Sequence, residues 1–243
     1  MQPSAIIGLV AAAFLSACAT VQPARMALPA ALFDHETLPV SGIGGARRGT
    51  FHAGPYQGTF ARSDTRLAVF DPVFERRGGR TSVTLVGPAG EGPIRADCSV
   101  RERTVTLAII SFKPKPMSLG CTLAGDTPGA TGRIELQEAA EGLGGMMMRQ
   151  ERRGELVLEG RTLGIRSVHD LSGSPIQTGT PIGYVFEEDG RPVGAVEVNG
   201  SPVIRISRTA DGATHRAVLI GALTLGVFWD PANSPLGREG GMR

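Results

Sequence analysis

Lysine is almost missing from this chain of 243 residues: Lys113 and Lys115 are the only two, so nearly all of its 25 basic residues are arginine. Aromatic residues are scarce, at 5%. The basic residues are not gathered on one face with aromatics between them, which argues against nucleic acid as a partner. A net charge of +2 steers no ligand over distance. No apolar run reaches the ~20 residues that a membrane-spanning helix needs. The Gly-x-Ser-x-Gly elbow of hydrolases is missing. His35, His52, His169 and His215 show neither the i to i+4 nor the His-Glu-x-x-His spacing that brings two ligands to one metal, so no metal and no cofactor is expected. Gly42-Ile43-Gly44-Gly45 lacks the Gly-Lys-Ser/Thr of a phosphate loop.

What the chain does have is glycine, 34 residues of it, with a hydrophobic content of 41%. That composition is globular and, with so many turn formers, leans toward β structure. The length suits one all-β domain better than two small ones.

Residues Ala5 to Leu15 form an apolar run of signal-peptide length. It ends in Leu15-Ser16-Ala17-Cys18, which resembles the bacterial lipobox. The resemblance implies cleavage before Cys18, a diacylglycerol on its sulfur, and a membrane partner reached through that lipid. Ala19 is not the Asp that commonly retains lipoproteins at the inner membrane, so the resemblance implies the periplasmic face of the outer membrane. Met1 to Ser4 holds no Lys or Arg, and Ala17-Cys18-Ala19 also fits an ordinary secretory cleavage site. The chain then divides into a signal peptide (1–17), a lipidated N-terminus with a flexible tether (18–45), one mostly-β domain (46–231) and a disordered tail (232–243). Thr20 to Gly45 holds three prolines and little periodicity. As flexible coil, a tether of about 25 residues reaches roughly 25 to 30 Å.

Period-2 alternation dominates from Thr50 onward. Ile94, Ala96, Cys98 and Val100 share one face of a strand, and Arg95, Asp97, Ser99 and Arg101 the other. Ile134 and Leu136, then Leu156 and Leu158, alternate with charged neighbours in the same way. Thr81 to Val86, Thr104 to Ile110, Met117 to Leu123 and Leu163 to Val168 bring the strands to about a dozen. Ile182 to Glu187, Pro192 to Val198 and Pro202 to Ser207, joined at Asp189-Gly190 and Asn199-Gly200, read as an antiparallel meander, because those dipeptides suit hairpin turns. After Asp211-Gly212 comes Ala217 to Trp229, a run without charge. If helical, it must be buried on all sides.

A meander followed by one apolar helix resembles the tubby C-terminal-like barrel shared with phospholipid scramblases. The likeness rests on Tyr184-Val185-Phe186-Glu187-Glu188-Asp189-Gly190, Val193-Gly194-Ala195-Val196 and Ala217 to Trp229. It implies a mostly-β fold, a barrel of about twelve strands with one buried C-terminal apolar helix. The alternative is a sandwich or barrel without the central helix, in which Ala217 to Trp229 supplies core strands.

Cys98 and Cys121 remain after lipidation, and an even pair in an oxidising compartment is expected to form a disulfide. A strand of Thr104 to Ile110 lying between them would hold them ~9.5 Å apart, beyond the roughly 7 Å between Cα atoms that a disulfide tolerates. Direct adjacency, a bulge, or two free thiols are then the options. His169-Asp170 in a turn is the most site-like histidine pair. Glu187, Glu188 and Asp189 read as turn carboxylates serving solubility. Met146-Met147-Met148 suits Cu(I) by ligand softness, but three adjacent residues cannot face one point on a strand. Arg152, Arg153, Arg161 and Arg166, with Arg47 and Arg48, are a candidate patch for acidic lipid or saccharide, against a solvated, ion-paired face. These readings favour a binding or structural module of the envelope, with an envelope protein or lipid as partner, over an envelope enzyme whose site is scattered along the chain.

Overall fold

The computed structural model describes residues 24–69, 74–88, 92–107, 110–126, 129–139 and 149–230. Cys18, the signal peptide, Met146 to Met148 and the tail expected at 232–243 lie outside the described residues.

Twelve strands form a closed antiparallel barrel. They are β1 (His35–Ser41), β2 (Arg48–Ala53), β3 (Tyr56–Val69), β4 (Phe74–Val86), β5 (Ile94–Leu107), β6 (Ile110–Gly125), β7 (Thr131–Glu138), β8 (Arg152–Leu158), β9 (Arg161–Val168), β10 (Gly183–Glu188), β11 (Arg191–Glu197) and β12 (Val203–Ser207). Each strand pairs with the next in sequence, and β1 pairs with β12 from His35↔Ser207 to Pro39↔Val203, so the barrel closes on itself. Tight turns suit this order: Glu159-Gly160 between β8 and β9 and Asp189-Gly190 between β10 and β11 both have positive φ at their two central residues, the geometry whose twist matches the flanking strands.

The expected barrel and its helix are both present. Helix α1 (Gly212–Val227) is buried around its circumference, from Ala217 through Val218, Leu219 and Ile220 to Leu223 and Leu225. It starts earlier than the apolar run because Asp211 is its N-cap, accepting the Thr214 N–H at 2.8 Å. A cap and a turn share the same Asp-Gly signature. The helix lies close to the wall where glycine allows it: a Cβ on Gly194 would stand 2.2 Å from Val218 Cγ1. Thr224, a buried hydroxyl in the last turn, donates to the Ile220 carbonyl at 2.8 Å.

Part of the span expected as a flexible tether, 18–45, is folded instead. β1 lies within that span, with Leu38 and Val40 turned to the core. Pro39 disguises it, since proline in a run argues against a strand. Upstream, 24–34 straps the outside of the wall. Met26 and Leu32 cover Val185 and Ala195, which point outward from β10 and β11, in a second apolar cluster. The strap is fixed by hydrogen bonds from Met26 N to Glu197 Oε1 at 3.3 Å, from Ala27 N to the Asp170 carbonyl at 2.9 Å and from Ser172 N to the Arg25 carbonyl at 2.8 Å.

Cys98 and Cys121 face each other directly across β5 and β6, form a disulfide with Cα atoms 4.0 Å apart, and are both buried. The intervening strand does not exist, because Thr104 continues the strand that carries Cys98.

Four strands outgrow the barrel. β2 leaves β3 at Arg48↔Ala61, and β7 leaves β6 at Ser118↔Gln137. Beyond those pairs, among the described residues, β3, β4, β5 and β6 form strand ladders only with one another, apart from Arg62, whose N–H donates to the Arg47 carbonyl at 2.8 Å. They project as an apron past the barrel end at which α1 terminates.

Candidate functional site

That end of the barrel is an open mouth. A cavity of about 540 Å³ lies there, lined among others by Ile43, Arg62, Tyr184, Asn199, Trp229 and Asp230. Two inward-facing arginines organise it. Arg62, on β3 where the apron begins, is only 6% exposed. Its Nε donates to the Ala46 carbonyl at 2.9 Å, one terminal nitrogen to the Val227 carbonyl at 3.0 Å, and the other to the Gly44 carbonyl. Its guanidinium carbon sits 4.3 Å from the Trp229 ring centroid and 5.0 Å from that of Phe60, close enough for cation–π attraction. No carboxylate touches it among the described residues, and desolvation lowers its pKa to about 10. Two positions along the same strand, Asp64 has both carboxylate oxygens buried with no hydrogen-bond donor among the described residues. The Arg47 guanidinium stands 3.8 Å away.

Arg152 enters from β8 and is 1% exposed. It forms an ion pair with Asp230, including a hydrogen bond of 2.8 Å from one terminal nitrogen to Oδ1, and donates to Gln150 Oε1 at 3.2 Å and Tyr184 Oη at 3.4 Å. Burial pushes the Tyr184 phenol up, with Arg152 acting against it. The two arginines therefore fasten the segment after the helix to opposite parts of the wall. Phe228 leaves the helix in an extended conformation, and Trp229 and Asp230 fold over the mouth onto Arg62 and Arg152.

Beside Arg152 lies a serine–histidine pair. Ser167 Oγ accepts the Arg152 N–H at 2.9 Å and lies 3.1 Å from His169 Nε2, while His169 Nδ1 is 2.8 Å from the Thr178 carbonyl. A carbonyl only accepts, so Nδ1 carries the proton and Ser167 donates to Nε2. Burial first, and the nearby Arg149 and Arg152 charges after it, lower the His169 pKa against the Thr178 carbonyl and the Glu151 charge, which raise it. Both side chains are buried and neither lines the mouth cavity. Asp170 does not join them, because it accepts from Gln177 Nε2 at 2.6 Å.

The arginines grouped from sequence do not form one patch. Arg152 is internal, Arg161 pairs with Glu188 at 2.8 Å and with Asp211, and Arg166 pairs with Glu187 at 2.6 Å. Glu187 and Glu188 are thus ion-pair partners, beyond serving solubility. A different cationic surface exists on the apron. Arg76, Arg80, Arg101 and Arg103 stand on its outer face, and no carboxylate pairs with them among the described residues. Gly78 and Gly79 open a groove of about 500 Å³ between them, also lined by Ser63, Thr65 and Leu67. The apron's inner face is neutralised instead: Arg66 pairs with Glu75 at 2.8 Å, and Arg77 with the same carboxylate.

Sequence reasoning missed Arg62, because the arginine code of β3 reads as solvated face. The available signal was its period-2 phase with the apolar Phe60. His35 and His215 are placed apart, at the Leu32 carbonyl (2.6 Å) and Glu36 (3.3 Å) respectively. Among the described residues no three His, Cys, Asp or Glu side chains converge on a common point. Compared with known proteins, the chain matches no family model, no curated protein and no solved structure.

Proposed function

We propose that this chain is a bacterial lipoprotein, lipidated at Cys18, held at the periplasmic face of the outer membrane, and working there as a binding or structural module of the envelope. The observation that carries the reading is the course of the N-terminal strap. Asn199 Nδ2, in the turn between β11 and β12 at the mouth, donates to the Ala24 carbonyl at 2.8 Å. A sequence that resembles a lipobox is thereby separated from the folded barrel by only a short link, which suits an anchor. The disulfide suits an oxidising compartment. The helix-filled barrel is the architecture that the likeness to the tubby-like barrel implies, and it favours a recognition surface over an internal site. The test is Cys18→Ala in cells. The substituted protein should leave the membrane fraction and lack the acyl mass at its N-terminus; unchanged retention with unchanged mass would sink the proposal.

An envelope enzyme is the second reading, and the Ser167–His169 pair is the observation in its favour. A serine that donates to a neutral imidazole has the geometry of an activated nucleophile. Both groups are sealed beneath the wall, with Arg152 N–H on the serine oxygen. A fluorophosphonate probe labelling Ser167 would revive this reading.

A further inference from the structure

The strap and the apron belong to the same end of the barrel. Ala24 is fixed at the β11–β12 turn, whose Asn199 lines the mouth, and the apron starts at Arg62, which lines the same mouth. From Cys18 to Ala24 an extended chain spans at most about 20 Å. From Arg62 to the end of β3 at Val69 the apron projects about 23 Å at 3.3 Å per residue, less with strand tilt. The link is long enough for an anchor at Cys18 to lie level with the apron's end.

The outward apron is built for one kind of neighbour. Arg76 and Arg103 are cross-strand partners, Gly78 pairs with Arg101, and Arg80 pairs with Ser99, which places four guanidinium groups on one face. Leu67, cross-strand from Arg76, is 57% exposed. Phe74 opens β4 at the free end, opposite the last residue of β3. Apolar residues at the extremity with cations one step behind them match the layering of a bilayer surface: acyl chains first, then anionic headgroups.

We infer that the apron is a membrane-contact surface, which rests its Arg76, Arg80, Arg101 and Arg103 face and its apolar end on an anionic lipid bilayer and turns the barrel mouth toward that bilayer. The orientation rests on the proposed lipid at Cys18; the contact itself does not. Each basic residue near an anionic surface contributes about 1 kcal/mol, a factor of about five in affinity, so reversing two of them should be easily seen.

The experiment uses the mature chain with Cys18→Ala, made without residues 1–17, and vesicles of phosphatidylcholine with or without phosphatidylglycerol. Cosedimentation should occur only with the anionic vesicles and should vanish at high salt. Arg76→Glu with Arg101→Glu should weaken it at least tenfold while the protein melts as before. Arg133→Glu, on the barrel wall outside the apron, should change it little. If the double variant does not fold, the salt and lipid series on the unreversed chain still decides. Absence of binding to anionic vesicles, binding that ignores both salt and lipid charge, or full competition by millimolar glycerol phosphate, which would mean a site for a single phosphate group, would each overturn the inference. None of these outcomes depends on whether Cys18 is acylated in cells, so the two proposals fail separately.

Discussion

Arg152 on β8 and Asp230 beyond the helix form an ion pair buried under the barrel mouth, 78 residues apart in sequence. The guanidinium is almost fully enclosed, and its Nε finds no hydrogen-bond partner among the described atoms. Enclosed charges of this kind cost desolvation and are held by their partner and surrounding dipoles.

Removing one side of the pair is therefore expected to be worse than removing both. Asp230→Ala leaves an unpaired buried cation and should destabilise the barrel by about 3 kcal/mol or more, whereas Arg152→Met with Asp230→Ala should recover a large part of that loss. Chemical denaturation of the four members of the cycle measures it. Equal melting of Asp230→Ala and the wild type would show that the latch is not closed in solution.

Cys98 and Cys121 should give no alkylatable thiol when the unreduced protein is unfolded and examined by mass spectrometry. The bond closes a loop with a sequence separation of 23 residues, which stabilises the fold by about 3 kcal/mol in the chain-entropy model. Cys98→Ser with Cys121→Ser should lower the melting temperature accordingly. Two reactive thiols in the unreduced chain would contradict the pairing.

Leu223, 1% exposed in the middle of α1, faces the barrel interior. Leu223→Asp buries a carboxylate with no partner at a cost of several kcal/mol, comparable to the whole stability of a domain. The variant should be insoluble or lack a cooperative transition; near-normal melting would remove the helix from the core.

His169 should impose an acid sensitivity. Its folded pKa is lowered, mainly by burial, below the unfolded value of 6.5, so the unfolded chain takes up more protons as the pH falls past that value. Stability then falls with decreasing pH below about 6.5 and is flat above it for this group. His169→Gln should flatten that part of the stability curve, even if it lowers stability overall through the lost Ser167 and Thr178 hydrogen bonds. An unchanged slope between pH 5 and pH 7 would exclude a neutral His169 as its origin.

The parts of the fold legible from sequence are those where one face is apolar. Ile94 to Val100 and Ile134 to Leu136 alternate cleanly because the helix fills the space they enclose, whereas the meander from Gly183 to Ser207, buried on both faces because the strap covers its outside, is marked by its Asp-Gly and Asn-Gly turns. β1 is concealed by Pro39. The outer half of β3 is concealed because Arg62, Asp64 and Arg66 occupy inward positions, where alternation carries charge instead of hydrocarbon. The mouth is less legible still. Arg62 meets the Val227 carbonyl across 165 residues of chain, and no local pattern encodes that meeting. The expected disulfide is present, and the segment that could have separated its two strands, from Thr104 onward, is the continuation of β5.

Because the closing strand β1 comes early and the filling helix comes last, the order in which the chain is made bears on its fate. A ribosome that has delivered everything through Ser207 has produced all twelve strands, yet the surface meant to enclose Leu219, Leu223 and Leu225 would have water against it. Such a nascent product has its seams and lacks its stuffing, and non-local sheets of this kind form slowly and aggregate readily while unfinished. A premature stop anywhere before Val227 should therefore behave as a loss of the entire molecule, leaving no partly working fragment.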